Sequence, residues 1–191
     1  MFMSFQFKET PRPKDQKPIV SLFYNGKQLG DSLDDNSDSN LFIRYHDDVH
    51  LGLFALCNWS PVMDELLGNE SKVPPLLSPI AKMILHLGDT EQEINSLYTQ
   101  TNYQCRLEEN IVFLNYNEAL HKGFYEKRKP SASIVNITKQ LAEGTPLGMM
   151  SKEEISENIV KIFDVHRQLI TNRSGYIDID PEKKFYQFRV A

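Results

Sequence analysis

The sequence predicts an α+β fold: a single domain with β-hairpins near its N- and C-terminal ends and helices packed against the sheet. Three observations carry this. The run PIVSLFYNGKQLG places Asn25-Gly26 between β-branched and aromatic residues, and Asn-Gly is the pair best able to hold positive φ at both centres of a two-residue hairpin turn. The segment SKEEISENIVKIFDVHRQLITNR keeps apolar residues on one helical stripe. Immediately after it, GYIDID and KFYQFRV switch to a period of two around Asp180-Pro181-Glu182-Lys183, the pattern of a terminal hairpin.

Taken in order, Met3, Phe5 and Phe7 alternate with polar residues and suit a short first strand within an N-terminal arm, residues 1–17. The linker TPRPKDQKP then stiffens and extends the chain. The domain proper is expected over 18–191, with strands near 18–24 and 27–30. Residues 30–40, GDSLDDNSDSN, hold four acids and no base and read as a mobile surface loop. Asp34, Asn36 and Asp38 imitate the start of a calcium loop. Ser39 then stands at the glycine position and Tyr45 at the bidentate glutamate position, so the imitation fails.

LFIRYH (41–46) reads as a strand, Asp47-Asp48 as a turn, and LGLFALCNW (51–59) as a buried strand or short helix, because a continuous apolar run does not decide between them. PVMDELLG opens with proline and closes with glycine, as short helices do. SPIAKMILHLG and TEQEINSLYTQ suggest a helical hairpin capped by Ser78 and Asp89. YQCRLEENIVFLNY suggests one or two strands, with a short helix NEALHKGF after Asn117. EKRKPSAS should be an exposed loop, ASIVNITKQLAEG a helix ended by Gly144, and GTPLGMM a turn. Ser151 and Glu154 then form a capping box at the start of the long helix.

A domain of 191 residues buries roughly 70% of its unfolded surface, and 40% apolar with 25% charged residues is ordinary globular composition. Net charge is −5, unevenly spread. Residues 1–120 hold nine basic and seventeen acidic side chains, and residues 121–191 twelve and nine. Cys57 and Cys105 form no Cys-x-x-Cys unit, so reduced thiols are expected. No basic-then-apolar leader and no run of about 20 apolar residues occurs, which argues for the cytoplasm, of the producing cell or of a cell receiving the protein, and against a membrane partner. The Asn-x-Ser/Thr triplets at Asn58, Asn69, Asn136 and Asn172 are then chance patterns rather than glycan sites.

Three function classes compete. For an enzyme, His46 and His50 would share a face if helical and could ligate a metal, with the third ligand from Asp47 or elsewhere. His46-Asp47 is also the dipeptide of metal-dependent phosphohydrolases, a pattern that needs further His and Asp on neighbouring helices. Cys57 with His46, His50 or His121 could make a thiol nucleophile and base. The intervening Asp-Asp turn and the apolar setting of Cys57 speak against both, and His166 reads as a packed stripe residue. Neither Gly-x-Gly-x-x-Gly, a phosphate loop nor Gly-x-Ser-x-Gly occurs.

A metal or thiol hydrolase near His46–Cys57 is therefore the second alternative, with no cofactor, no metal ligand and no catalytic residue assigned. The first alternative is nucleic-acid binding. Residues 132–191 have the order of a winged-helix portion, and Lys127, Arg128 and Lys129 are candidate anion-binding residues, although Glu153, Glu154 and Glu157 open the long helix. The preferred reading is a non-enzymatic protein-interaction module: an adaptor, chaperone-like or regulatory factor, or a delivered, phage or viral one. Its candidate contacts are Tyr176, Phe185, Gln187 and Arg189, on the face of the terminal hairpin opposite Tyr186, Phe188 and Val190.

Overall fold

The computed structural model describes residues 1–13, 16–35, 41–68 and 100–191, the side chains of 100–102 aside. Over these residues the elements are β1 (Met3–Thr10), β2 (Ile19–Tyr24), β3 (Lys27–Leu33), a 3₁₀ turn (Ile43–Tyr45), α1 (Asp47–Cys57) and α2 (Pro61–Leu67). They continue with α3 (Gln100–His121), α4 (Ala132–Leu141), α5 (Pro146–Met149), α6 (Lys152–Asn172), β4 (Ser174–Asp180), a second 3₁₀ turn (Pro181–Lys183) and β5 (Phe185–Arg189).

The five strands form one antiparallel sheet in the order β3-β2-β1-β4-β5. The stretch read as an N-terminal arm supplies its centre. β1 pairs with β2 from Phe5↔Tyr24 to Thr10↔Ile19, and with β4 from Met3↔Ile179 to Lys8↔Ser174. The terminal hairpin β4–β5 thus continues through β1 into the N-terminal hairpin. At the β2–β3 turn Asn25 and Gly26 hold φ of 51° and 77°, as the Asn-Gly pair requires.

Alternation divides the sheet. Met3, Phe5, Phe7, Val20, Leu22, Ile177, Ile179, Tyr186 and Phe188 are buried on one face, where α1 and α6 pack on β4 and β5 and the first 3₁₀ turn on β2 and β3, each such large side chain stabilising the fold by roughly 1.5–3 kcal/mol. On α6, Ile155, Ile159, Ile162, Phe163, His166 and Leu169 face this core, and the capping box has both of its reciprocal bonds. Gly52 lets α1 lie against α6: a Cβ there would sit 2.5 Å from Ile162 Cγ1.

Several local expectations are corrected. Residues 43–45 form a 3₁₀ turn rather than a strand, and Asp47-Asp48 is no turn but the first turn of α1. Acids are favoured at that end by the helix dipole. α1 is buried nearly all round, so it lacks the amphipathic signal by which helices are read. The strands expected in YQCRLEENIVFLNY are one helix, α3, which also absorbs NEALH. Its buried Leu107, Ile111, Val112, Tyr116 and Ala119 make a helical stripe that outweighs local β propensity. GTPLGMM contains the short α5, capped by Thr145.

The loop expected over 30–40 is ordered at its start: β3 runs to Leu33, and Asp35 is buried against Arg44. Residues 36–40, with Asn36 and Asp38, and the helical hairpin expected over 78–100 lie outside the described residues, apart from Gln100 at the start of α3. Among the described residues no helix is long and apolar enough to cross a membrane.

Candidate functional site

His46 precedes α1 and His50 lies one turn into it, so the two imidazoles meet with ring centroids 5.5 Å apart. Each is oriented through Nδ1. His46 Nδ1 donates to the Ile43 carbonyl at 2.9 Å, a bond the 3₁₀ turn makes possible. His50 Nδ1 lies 2.7 Å from Glu108 Oε1, and a carboxylate can only accept, so this nitrogen carries the proton.

Glu108 is fully buried and binds two further donors: Ser60 Oγ–H at 2.6 Å on the same oxygen and the Val62 backbone N–H at 2.8 Å on the other. Ser60 also caps α2 by accepting from Met63 N. One carboxylate therefore ties α3 to α1 and to the start of α2.

The second nitrogen of His50 is unlike the first. Nε2 is buried with no hydrogen-bond partner, while Glu109 Oε1 stands 3.4 Å away. Glu109 is half exposed and His46 less so. One donor atom from each of His46, His50 and Glu109 lies within 4.8 Å of the others, making these a group able to hold a metal among the described residues. Asp47 Oδ1 is 3.7 Å from His46 Nε2.

Electrostatics are tuned by the same contacts. Burial alone would lower the His50 pKa, but Glu108, and after it Glu109, reverse this and hold it well above the ordinary value. Burial raises the Asp47 carboxyl against the pull of the two histidines. Burial would raise Glu109 too, but the neighbouring His50 imidazole, 3.4 Å away, brings it down. Beside His46 and Glu109 opens a recess of about 130 Å³ walled by Ile43, Val112, Phe113 and Tyr116.

The other sequence candidates do not join this cluster. Cys57 lies seven residues beyond His50, about 10 Å along the helix, against an internal apolar void. Burial pushes its thiol up to about 12, although Asn158 donates to Sγ. A thiol nucleophile paired with these histidines is therefore not what the fold builds. His121 is exposed at the end of α3. His166 is buried between Asp48, at 3.0 Å, and the Tyr116 hydroxyl, at 3.1 Å, closing the packing of α1, α3 and α6.

Lys127, Arg128 and Lys129 are exposed in the loop before α4. Tyr176, Phe185, Gln187 and Arg189 lie on the sheet face away from the helices: Arg189 stacks over Tyr176 at 4.4 Å and pairs with Asp178, and Phe2 lies 6.3 Å from Phe185. Glu108 and Glu109 were missed because their segment reads as strand. The helical spacing of Leu107, Ile111 and Val112 is the signal that could have placed them.

Two further observations come from comparison with known proteins. A family model described as the MazG C-terminal domain matches residues 2–78, under half of the chain. That stretch contains β1–β3, α1, α2, His46, His50 and Ser60, whereas Glu108, Glu109 and the terminal hairpin lie beyond it. No curated protein and no solved structure matches the chain.

Proposed function

We propose that the chain is a protein-binding accessory module of a nucleotide-pyrophosphohydrolase system, docking its partner across the open face of the sheet. The observation that carries this reading is the composition of that face: Tyr176, Phe185, Gln187 and Arg189, flanked by Phe2 and backed by no helix among the described residues. Aromatic residues and arginine are the side chains enriched in binding hot spots. The ion pair with Asp178 and the stacking on Tyr176 hold Arg189 in place before a partner arrives, which lowers the ordering cost of association. The likeness of residues 2–78 to a MazG C-terminal domain suggests the setting, a MazG-like nucleotide-pyrophosphohydrolase system.

Isothermal titration of the purified chain against a MazG-type nucleotide pyrophosphohydrolase tests the reading. Saturable binding is expected, weakened at least about tenfold by Phe185→Ala or Arg189→Glu, a loss of about 1.4 kcal/mol or more. Absence of binding, or binding indifferent to both substitutions, refutes it.

A further inference from the structure

We propose that His46, His50 and Glu109 form a binding site for one divalent transition-metal ion, with zinc the best match to the donor set. The inference is independent of the sheet-face reading. Two imidazole nitrogens and one carboxylate oxygen are ligands of intermediate softness, suited to zinc, cobalt or nickel rather than to the all-oxygen cations magnesium and calcium.

The arrangement carries the features by which such sites are built. Both Nδ1 atoms are already committed, His46 to the Ile43 carbonyl and His50 to Glu108, so each ring keeps Nε2 for a metal. A backbone carbonyl or carboxylate holding the far nitrogen is the usual outer support of a metal-bound histidine. Glu108 is itself fixed by Ser60 and Val62, so the orientation of His50 is set by the packing of three helices.

The second, independent observation is His50 Nε2 itself: buried, without a hydrogen-bond partner, and 3.4 Å from Glu109 Oε1. That separation is poor for a hydrogen bond but matches the edge of a tetrahedron with metal–ligand bonds of 2.0–2.2 Å, about 3.3–3.6 Å. The remaining separations, up to 4.8 Å, close by rotation of His46 and Glu109, the two partly exposed members, against a stationary His50.

Three protein ligands leave a tetrahedral ion one position short, and the mostly apolar recess beside His46 and Glu109 is large enough to hold water. Asp47, 3.7 Å from His46 Nε2, stands beside this trio rather than within it.

The test uses the tag-free, chelator-treated chain titrated with Zn²⁺ or Co²⁺ alone, read by calorimetry, by metal content after gel filtration, and by the visible spectrum of the cobalt form. The expected result is one equivalent bound, with the intense bands of a tetrahedral cobalt centre. Affinity should fall at least tenfold in His46→Gln and in Glu109→Gln, whose side chains are partly exposed, and stay unchanged in the control His121→Gln.

On the unsubstituted protein, zinc should shift the imidazole nitrogen resonances of His46 and His50 but not those of His121 or His166. This readout stands even if a variant misfolds. Absence of stoichiometric binding, equal affinity in all variants, or resonance shifts confined to other histidines each overturns the proposal.

Discussion

Replacing Glu108 with glutamine changes one oxygen into an NH₂ group and nothing else in shape, yet every neighbour of that carboxylate is a donor. Oε1 accepts from His50 Nδ1 and Ser60 Oγ, and Oε2 from the Val62 backbone N–H. In one amide orientation the new NH₂ group faces the Val62 N–H, which is fixed by the start of α2. In the other it faces the imidazole and the serine. Either way a buried donor loses its acceptor, costing about 1–3 kcal/mol, and the buried His50 loses the charge that opposes its desolvation. Breaking a buried ion pair costs about 3–5 kcal/mol, so the polar amide, which still makes part of the network, should cost about 3. For a chain of this size that is a fall in Tm of about 6–12 °C. Glu109→Gln, one residue along and half exposed, should shift Tm by less than about 2 °C. Differential scanning calorimetry of the two variants at pH 7 measures both. If Glu108→Gln melts within 2 °C of the parent, or if the order of the two is reversed, the assignment of Glu108 as the anchor of α1 and α2 fails.

Gly52→Ala gains about 1 kcal/mol of helix propensity but places a Cβ 2.5 Å from Ile162 Cγ1, an overpacking worth about 1–3 kcal/mol. Urea denaturation should show net destabilisation, with a coupling above about 0.5 kcal/mol in the double variant with Ile162→Ala; strict additivity contradicts the close α1–α6 contact. For Glu9, burial would raise the pKa, but bonds from Tyr45, Arg44 and Arg173 hold it below its ordinary 4.5. Its contribution is therefore present above that value and lost as pH falls through the lower, folded value. Glu9→Gln should flatten the stability–pH slope below about pH 5, and an unchanged slope removes Glu9 from the acid response. Arg44→Ala takes the guanidinium from the buried Asp35 carboxylate and one of its three side-chain partners from Glu9, and should cost about 3–5 kcal/mol in the same assay; a loss under about 1 kcal/mol contradicts a buried pairing. Cys57, buried with its thiol near 12, should resist a disulfide reagent at pH 8 until the protein is unfolded, and prompt labelling of the folded chain contradicts its placement.

Where local chemistry and tertiary packing agree, the structure could be read from the residues. Asn25-Gly26 has one cheap conformation, Ser151 and Glu154 satisfy each other, and the terminal alternation admits a single choice of inner face. The departures share a cause. α1 is covered on nearly every side, so the run LGLFALC lost the periodicity that marks a helix. Within α3, Ile111, Val112, Phe113 and Tyr116 favour a strand locally, while Leu107, Ile111 and Ala119 report the helical face only over three turns. Asp35 looked like one more acid in a solvated loop, and its burial depends on Arg44, nine residues away. Asp47-Asp48 matters most, because a turn there would hold His46 and His50 apart whereas the helix brings them together.

The chemistry of the cluster depends on a division of labour between adjacent carboxylates. Successive residues on a helix point about 100° apart, so Glu108 faces the packed interior while Glu109 comes to its rim, half in solvent. A single buried carboxylate would have fixed His50 and left nothing to share its second nitrogen; a single exposed one would have offered a ligand with no fixed imidazole to meet it. The pair also joins two distant parts of the sequence, because His46, His50 and Ser60 come from the stretch that matches the MazG C-terminal domain and both glutamates from beyond it. The site therefore exists only when α3 is docked on α1 and α2, and the bonds that dock it are the bonds that orient His50. Tightening that docking and assembling the cluster are the same physical event.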